Sequence, residues 1–240
     1  MGALMKFERT EKKYLLTPDQ FNALRRMLAN KMAIDQYGEH TISNIYYDTA
    51  DYRLIRASIE KPDYKEKLRV RSYKTPQASD NVFVELKKKC GGVVYKRREA
   101  VTLAESNAFL LDGVMPQKQS QVIDEIGWFC NFYRPEPKVF LAYDRIALYG
   151  NEDPGLRITF DKNIRWRQMA LDLSMGDWGI PVCDGKCIVM EVKLLSGMPM
   201  WLCRAMTALN IYPCSFSKYG TVYQQHLFYN MPMKGEDHCA

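Results

Sequence analysis

Arg9-x-Glu11-x-Lys13, Lys67-x-Arg69-x-Arg71, Glu85-x-Lys87-x-Lys89, Lys96-x-Arg98 and Glu191-x-Lys193 place charge at every second residue of segments that otherwise read as β-strands. Strand side chains alternate between faces, so each set occupies one face. In three of these segments the opposite face is apolar: Leu68 and Val70; Val82, Val84 and Leu86; Met190, Val192 and Leu194. A single half-buried strand commonly turns its charges to water. Five strands that mix many cations with a few carboxylates point instead to a charged interior, a tunnel that holds a polyanion and a metal ion. Guanidinium groups offer planar, fork-like donors to phosphate oxygens, and lysines supply compact point charges. Such a set suits phosphoryl transfer, which asks the protein for positioning and charge stabilisation rather than covalent chemistry.

A chain of 240 residues can bury a sizeable core, and a single domain over 1–229 is expected, followed by a polar, disordered tail at 230–240. The net charge of +6 is too small to mark nucleic-acid binding, so the placement of the excess matters more than its size. Seven cysteines without a CxxC pair read as free thiols in a reducing cytoplasm. Three histidines, two of them in the last fifteen residues, argue against a histidine metal site. No apolar run approaches the ~20 residues of a membrane span, and the N-terminus lacks a signal-peptide core. The expected location is cytoplasmic, at most peripheral to the inner face of a membrane.

Eight strands are expected, near 6–16, 41–49, 66–73, 82–89, 93–101, 138–149, 155–161 and 187–195. Gly91-Gly92 marks a hairpin between the fourth and fifth. Thr17-Pro18-Asp19-Gln20 is a helix start, with an N-cap Thr, Pro at the first helical position and Gln three residues after the cap. Further helices are expected at 51–59, 104–111, 120–133 and 200–210. The segment Ser215–Gly220 reads as a terminal strand or loop. The predicted fold is α+β: an eight-stranded antiparallel closed β-tunnel with helices packed outside.

The sequence resembles the polyphosphate polymerase (VTC) domain family, a branch of the triphosphate tunnel metalloenzyme or CYTH-like superfamily. FERTEKKYLL at 7–16, NIYYDT at 44–49, KLRVRSY at 67–73, FVELKKK at 83–89 and SFSKYG at 215–220 carry the likeness, supported by YDRIALYG, LRITFD and VMEVKL. The superfamily opens with Glu-x-Glu-x-Lys; here Arg9 replaces the first carboxylate, as suits the polymerase branch. The resemblance implies a tunnel that binds ATP through its phosphates with Mn2+ or Mg2+ and transfers the γ-phosphate onto a growing polyphosphate chain. Eukaryotic members carry an SPX domain and membrane helices, and neither is expected in this chain.

On this reading Arg9, Arg69, Arg71, Lys87, Lys96, Arg98, Arg145, Arg157, Lys193, Ser217 and Lys218 bind phosphate. Lys13 lies close to the transferred group, and Lys13, Arg69, Arg71 and Glu191 form the catalytic set. Hard cations prefer oxygen ligands, which makes Glu191, then Glu11 and Glu85, the metal candidates. Arg97 and Glu99 charge the face opposite Lys96 and Arg98, and the strands of Arg145 and Arg157 mix apolar with charged positions, so alternation is less clean there. A tripolyphosphatase or nucleoside triphosphatase, or a non-catalytic polyphosphate sensor, would use the same charges. Tyr46, Tyr47 and Tyr73 could stack RNA bases, but packing explains them better and no nucleic acid is expected. A separate membrane subunit is the partner a translocated product would require, with the mouth near Lys218 and the helix of Trp201 and Leu202 as candidate contacts.

Overall fold

The computed structural model describes residues 10–195 and 197–228. Arg9 and the expected tail at 230–240 lie outside the described residues. The strands are β1 (Thr10–Leu16), β2 (Met32–Asp48), β3 (Tyr64–Ser72), β4 (Asn81–Cys90), β5 (Val93–Thr102), β6 (Glu136–Gly150), β7 (Arg157–Arg167), the two-residue β8 (Ile180–Pro181), β9 (Ile188–Leu194) and the two-residue β10 (Pro213–Cys214). Antiparallel ladders join them in the order β10-β1-β9-β7-β6-β2-β3-β4-β5, with β8 added beside β7. The eight long strands are those expected from the sequence, and they form the antiparallel sheet of an α+β protein; among the described residues no ladder joins β5 back to β1 or β10. Glu11–Lys13 of β1, Lys89 of β4 and residues 213–216 line one cleft of about 450 Å3.

Local sequence explains most of the elements. Gly91 and Gly92 both have positive φ, 52° and 84°, the pair of left-handed residues that a tight β4–β5 hairpin turn requires. In α1 (Pro18–Leu28), Thr17 Oγ1 accepts from the Gln20 backbone N–H while Gln20 Oε1 accepts from that of Thr17, so two otherwise unpaired donors are satisfied. The helices α2 (Arg53–Ile59), α3 (Leu103–Asp112), α4 (Gln121–Tyr133) and α5 (Met200–Ala208) also follow the expected pattern. Strand β2 is the larger departure. It begins at Met32 rather than 41, because Met32–Ile34 pair with Leu148–Gly150 of β6, and an irregularity between Ile34 and Glu39 restores register.

Two apolar layers lie outside the tunnel. α1 and α5 cover the outward residues of β1, β7 and β9, including Tyr14, Phe160, Met190 and Val192. α3 and α4 cover Leu68, Val70, Val84 and Leu86 of β3 and β4. Each fully buried residue of this size contributes about 1.5–3 kcal/mol relative to exposure. Leu202 is buried, and Trp201, partly buried, packs against the first of these layers, which is ordinary packing.

The third apolar cluster lies on the inward side. Residues 218–222 form a helix, α6 (Lys218–Val222), where a strand or loop was expected. Ser217 caps it by accepting from the Gly220 N–H at 3.2 Å. A Cβ at Gly220 would stand 3.1 Å from Ser217 Cβ, so glycine permits this tight start. Tyr219, Val222, Tyr223 and Leu227 pack with Val139, Leu141 and Val189, with Tyr52 at the start of α2 and with Ile55 within it. The segment plugs one end of the interior. That plug explains the mixed pattern of β6 and β7: their inward residues are apolar beside α6 and charged beyond it.

Among the described residues no helix is long and apolar enough to cross a membrane. The six described cysteines are free.

Candidate functional site

β3, β4 and β5 build one wall. Their registers set Lys67 opposite Lys87, Arg69 opposite Glu85, and Glu85 opposite Arg98. Glu85 is 2 % exposed and lies at the centre. Arg69 Nε donates to Glu85 Oε2 at 2.8 Å and Nη2 lies 2.6 Å from the same oxygen. Lys96 Nζ lies 2.9 Å from Oε1, while Arg71 and Arg98 stand off at 3.9 and 4.0 Å. Burial pushes the Glu85 carboxyl up, but Arg69, Arg71 and Lys96 outweigh it and hold it at about 2. Arg71 is held in turn by Asn44 Oδ1 at 2.9 Å and the Tyr143 hydroxyl at 3.2 Å. Arg69 Nη1 donates to the Tyr46 hydroxyl at 3.1 Å.

β1, β6, β7, β9 and α6 build the facing wall. Asp161, fully buried, accepts from Arg145 Nε at 2.6 Å and Nη2 at 2.7 Å, and from Lys218 Nζ at 2.5 Å. Burial raises the Asp161 carboxyl, and Lys218 and Arg145 more than reverse that. Glu191 lies 3.5 Å from Lys13, 3.6 Å from Lys193 and 3.9 Å from Arg145. Burial likewise raises it, and Lys218, Lys13, Lys193 and Arg145 together hold it far below the usual carboxylate range. Lys13 Nζ also donates to Phe216 O at 3.1 Å. Glu11 pairs in register with Lys193 and is exposed. Arg157, opposite Lys193 in register, is exposed at the end away from α6.

Two lysines face the interior without a carboxylate within ion-pair distance among the described residues. Burial, with Lys13, Lys87 and Lys65 nearby, drives Lys67 down to about 8 although Tyr46 opposes the shift. Lys87 is lowered by burial and by Lys13 and Arg69, against the pull of Glu11 and Glu191. Lys67 Nζ donates to Ser217 Oγ at 3.3 Å, which ties the cap of α6 to the β3 wall.

Alternation thus brings Lys13, Arg69, Arg71, Lys87, Lys96, Arg98, Arg145, Arg157, Glu11, Glu85, Glu191 and Lys193 to the inward face of the sheet, where Glu11, Lys96, Arg98 and Arg157 are exposed, and α6 adds Ser217 and Lys218. Arg97 and Glu99 do face outward, as β5 requires: Arg97 lies 3.4 Å from Glu125 of α4 and Glu99 accepts from Ser120 at 2.9 Å. Lys218 is deep inside rather than at a mouth, with a side chain 10 % exposed, so it offers no surface to a partner. Sequence reasoning did not assign Asp161, Tyr143 or Asn44 to the site, and it read Tyr46 as packing. Asp161 was readable as the third term of Arg157-x-Thr159-x-Asp161; nothing local marks the other three.

The carboxylates differ in their fit to a divalent cation. Glu85 is clamped at 2.6–2.9 Å by two cations and fits poorly. Glu191 has its cations at 3.5–3.9 Å and keeps lone pairs toward the interior. Glu11 sits diagonally across from it on the adjoining strand. No group of three or more His, Cys, Asp or Glu side chains converges among the described residues. A site of one or two carboxylates completed by substrate phosphates is the arrangement these residues fit, and it is ordinary for Mg2+.

An antiparallel sheet of an α+β protein, carrying paired charges and an excess of cations on its inward face, frames the site. The chain belongs to the VTC domain family, whose model matches residues 8–227. A candidate adenylate cyclase of Bacillus halodurans is similar in structure, with a TM-score of 0.57 and 14 % identity over 90 % of this chain and 96 % of the other. A candidate adenylyl cyclase from Hippeastrum, described as having a dominant triphosphatase activity, gives 0.52 and 15 % over 90 % and 95 %. At these identities the likeness is one of fold. No functionally curated protein matches the sequence.

Proposed function

We propose that this protein is an ATP-dependent polyphosphate polymerase that transfers the γ-phosphate of ATP onto a growing polyphosphate chain. Membership of the VTC domain family supports the substrate class. The observation that carries the choice of reaction is the ion pairing of the three buried interior carboxylates, Glu85, Glu191 and Asp161. Glu85 is held at about 2, and Glu191 and Asp161 are also held low by their cations. A general base works best with a pKa near the operating pH, so none of the three is suited to deprotonating water. A terminal phosphate oxygen is already ionised and needs no such help.

In the reaction an oxygen of the acceptor phosphate forms a bond to the γ-phosphorus while the bond to the β-bridging oxygen breaks and ADP leaves. Lys13, Arg69 and Arg71 stabilise the transferring group, and Lys87, Lys96, Arg98, Arg145, Arg157, Lys193, Ser217 and Lys218 hold the flanking phosphates. Mn2+ or Mg2+, when bound, would neutralise phosphate charge, held by Glu191 with Glu11. Incubation with ATP and Mn2+ tests the proposal. Long phosphate chains with ADP are expected; orthophosphate with ADP would make it a triphosphatase, and no turnover with retained binding would make it a sensor. A cytoplasmic location, with a separate membrane subunit for any exported product, remains part of the proposal.

A further inference from the structure

Away from α6, the rim of the interior carries a row of aromatic rings that the phosphate chemistry does not use. Tyr37 of the β2 irregularity lies 6.2 Å from His40, His40 lies 6.0 Å from Tyr73 at the end of β3, and Tyr73 lies 5.7 Å from Phe83 of β4, all between ring centroids. The row follows the order β2-β3-β4 of the sheet and ends at Arg98 of β5, whose guanidinium lies 3.4 Å from the Phe83 centroid and 5.9 Å from that of Tyr73. Arg98 Nη1 also donates to the Tyr73 hydroxyl at 3.4 Å.

These rings are not core packing. Tyr37 is 69 % exposed and Tyr73 40 %. Adjacent planes meet at 54–74°, so the rings touch by edges and do not stack face on face. Tyr73 follows Arg71 by two residues and Phe83 precedes Glu85 by two, which sets the row about 7 Å along the strands from the Arg71–Glu85 level. That spacing leaves room for a ribose between a base on the rings and phosphates among the arginines.

The geometry points to a nucleobase platform: Tyr73, flanked by Tyr37 and His40, stacks the base of the nucleoside triphosphate whose phosphates enter the interior past Arg98 and Arg71. The assignment rests on the reading of the interior as a triphosphate site. Stacking of a base on an aromatic side chain tolerates different bases, so the platform favours nucleotides over bare phosphate chains without selecting adenine strictly.

Calorimetric binding of AMP-PNP and of inorganic tripolyphosphate separates the two ideas, because only the first carries a base. In Tyr73→Ala the ratio of AMP-PNP to tripolyphosphate affinity is expected to fall about tenfold. Tyr73→Phe, which keeps the ring and loses the hydroxyl, is expected to hold that ratio near the wild-type value. Tyr37→Ala, at a position 69 % exposed, is expected to lower it a few-fold. An unchanged ratio in both alanine variants would overturn the platform while leaving the triphosphate site standing. Failure of the wild-type protein to bind either ligand would overturn the triphosphate reading and the platform with it.

Discussion

Arg69 and Glu191 illustrate how the partner of a charge, not the charge alone, decides what a substitution does. Read from alternation, Arg69 sits among like charges, and its reversal would relieve repulsion in the apo protein. In the structure its nearest charge is Glu85 at 2.6 Å. Arg69→Glu would set two carboxylates together around a site only 2 % exposed. Breaking a buried pair costs about 3–5 kcal/mol, so the expected outcome is a lower Tm together with loss of tripolyphosphate binding. A variant that melts higher than wild type would show that repulsion among the cations dominates after all. Glu191→Gln keeps shape and removes a charge that no short bond clamps. Tripolyphosphate binding should persist while turnover falls by at least about tenfold, the scale on which metal sites respond to lost partners. A metal titration is the check: an unshifted midpoint would return Glu191 to balancing Lys13, Lys193 and Arg145.

At the scale of elements, the least expected piece is α6. Its Tyr219 stacks on Tyr46 with centroids 4.9 Å apart and donates its hydroxyl to Asp48 Oδ2 at 3.0 Å. Asp48 also accepts from the backbone N–H groups of Leu54 and Ile55 in α2, at 2.9 and 3.0 Å. One buried carboxylate therefore joins β2, α2 and α6 and fixes the plug. Tyr219→Phe removes a single hydroxyl and leaves Asp48 short of a donor, at an expected cost of about 1–3 kcal/mol by urea denaturation. The effect should reach function as well, since Lys218 precedes Tyr219 and its bond to Asp161 depends on where α6 sits. An unchanged stability would mean that the backbone N–H groups of Thr49, Leu54 and Ile55 satisfy Asp48 by themselves.

For the whole molecule, the cations named in the interior exceed its four carboxylates by more than the net charge of +6, so the positive field is concentrated inside. Like-signed charge focused in a cleft raises the local concentration of polyanions and disfavours its own protonated lysines. Burial and neighbouring lysines bring Lys67 to about 8. At Tyr46 burial opposes ionisation, but Arg69, Arg71 and Lys67 outweigh it, and this group too falls to about 8. Above pH 8 both lose a proton and the interior loses positive charge, so tripolyphosphate affinity should decline between pH 7 and 9. Binding near pH 8 should take up protons, which calorimetry in buffers of different ionisation enthalpy would detect. Between about 8 and the ordinary values of 10.5 and 10.0 the folded protein binds fewer protons at these groups than the unfolded chain. Their contribution to apo stability therefore rises with pH across that window, opposite in sign to the change in affinity. A flat affinity profile would place both groups outside the ligand's field.

The period-two spacing of charge was enough to assemble the β3–β4–β5 wall, because strand geometry assigns faces without reference to anything distant. Caps and turns were equally local: Thr17 and Gln20 specify the start of α1, and Gly91-Gly92 the hairpin. Only tertiary structure could show that Glu85 is clamped while Glu191 is not, since both read as a carboxylate beside lysines and differ only in what faces them across the tunnel. It also decided which ends are open. SFSKYG has no strong periodicity, and its helix forms because Tyr219 and Val222 find an apolar pocket made by β6 and β9, far away in sequence. The first half of β2 pairs only because β6 is long enough to meet it. Faces and turns are set by neighbours along the chain; ion-pair partners, plugs and strand lengths are set by neighbours in space.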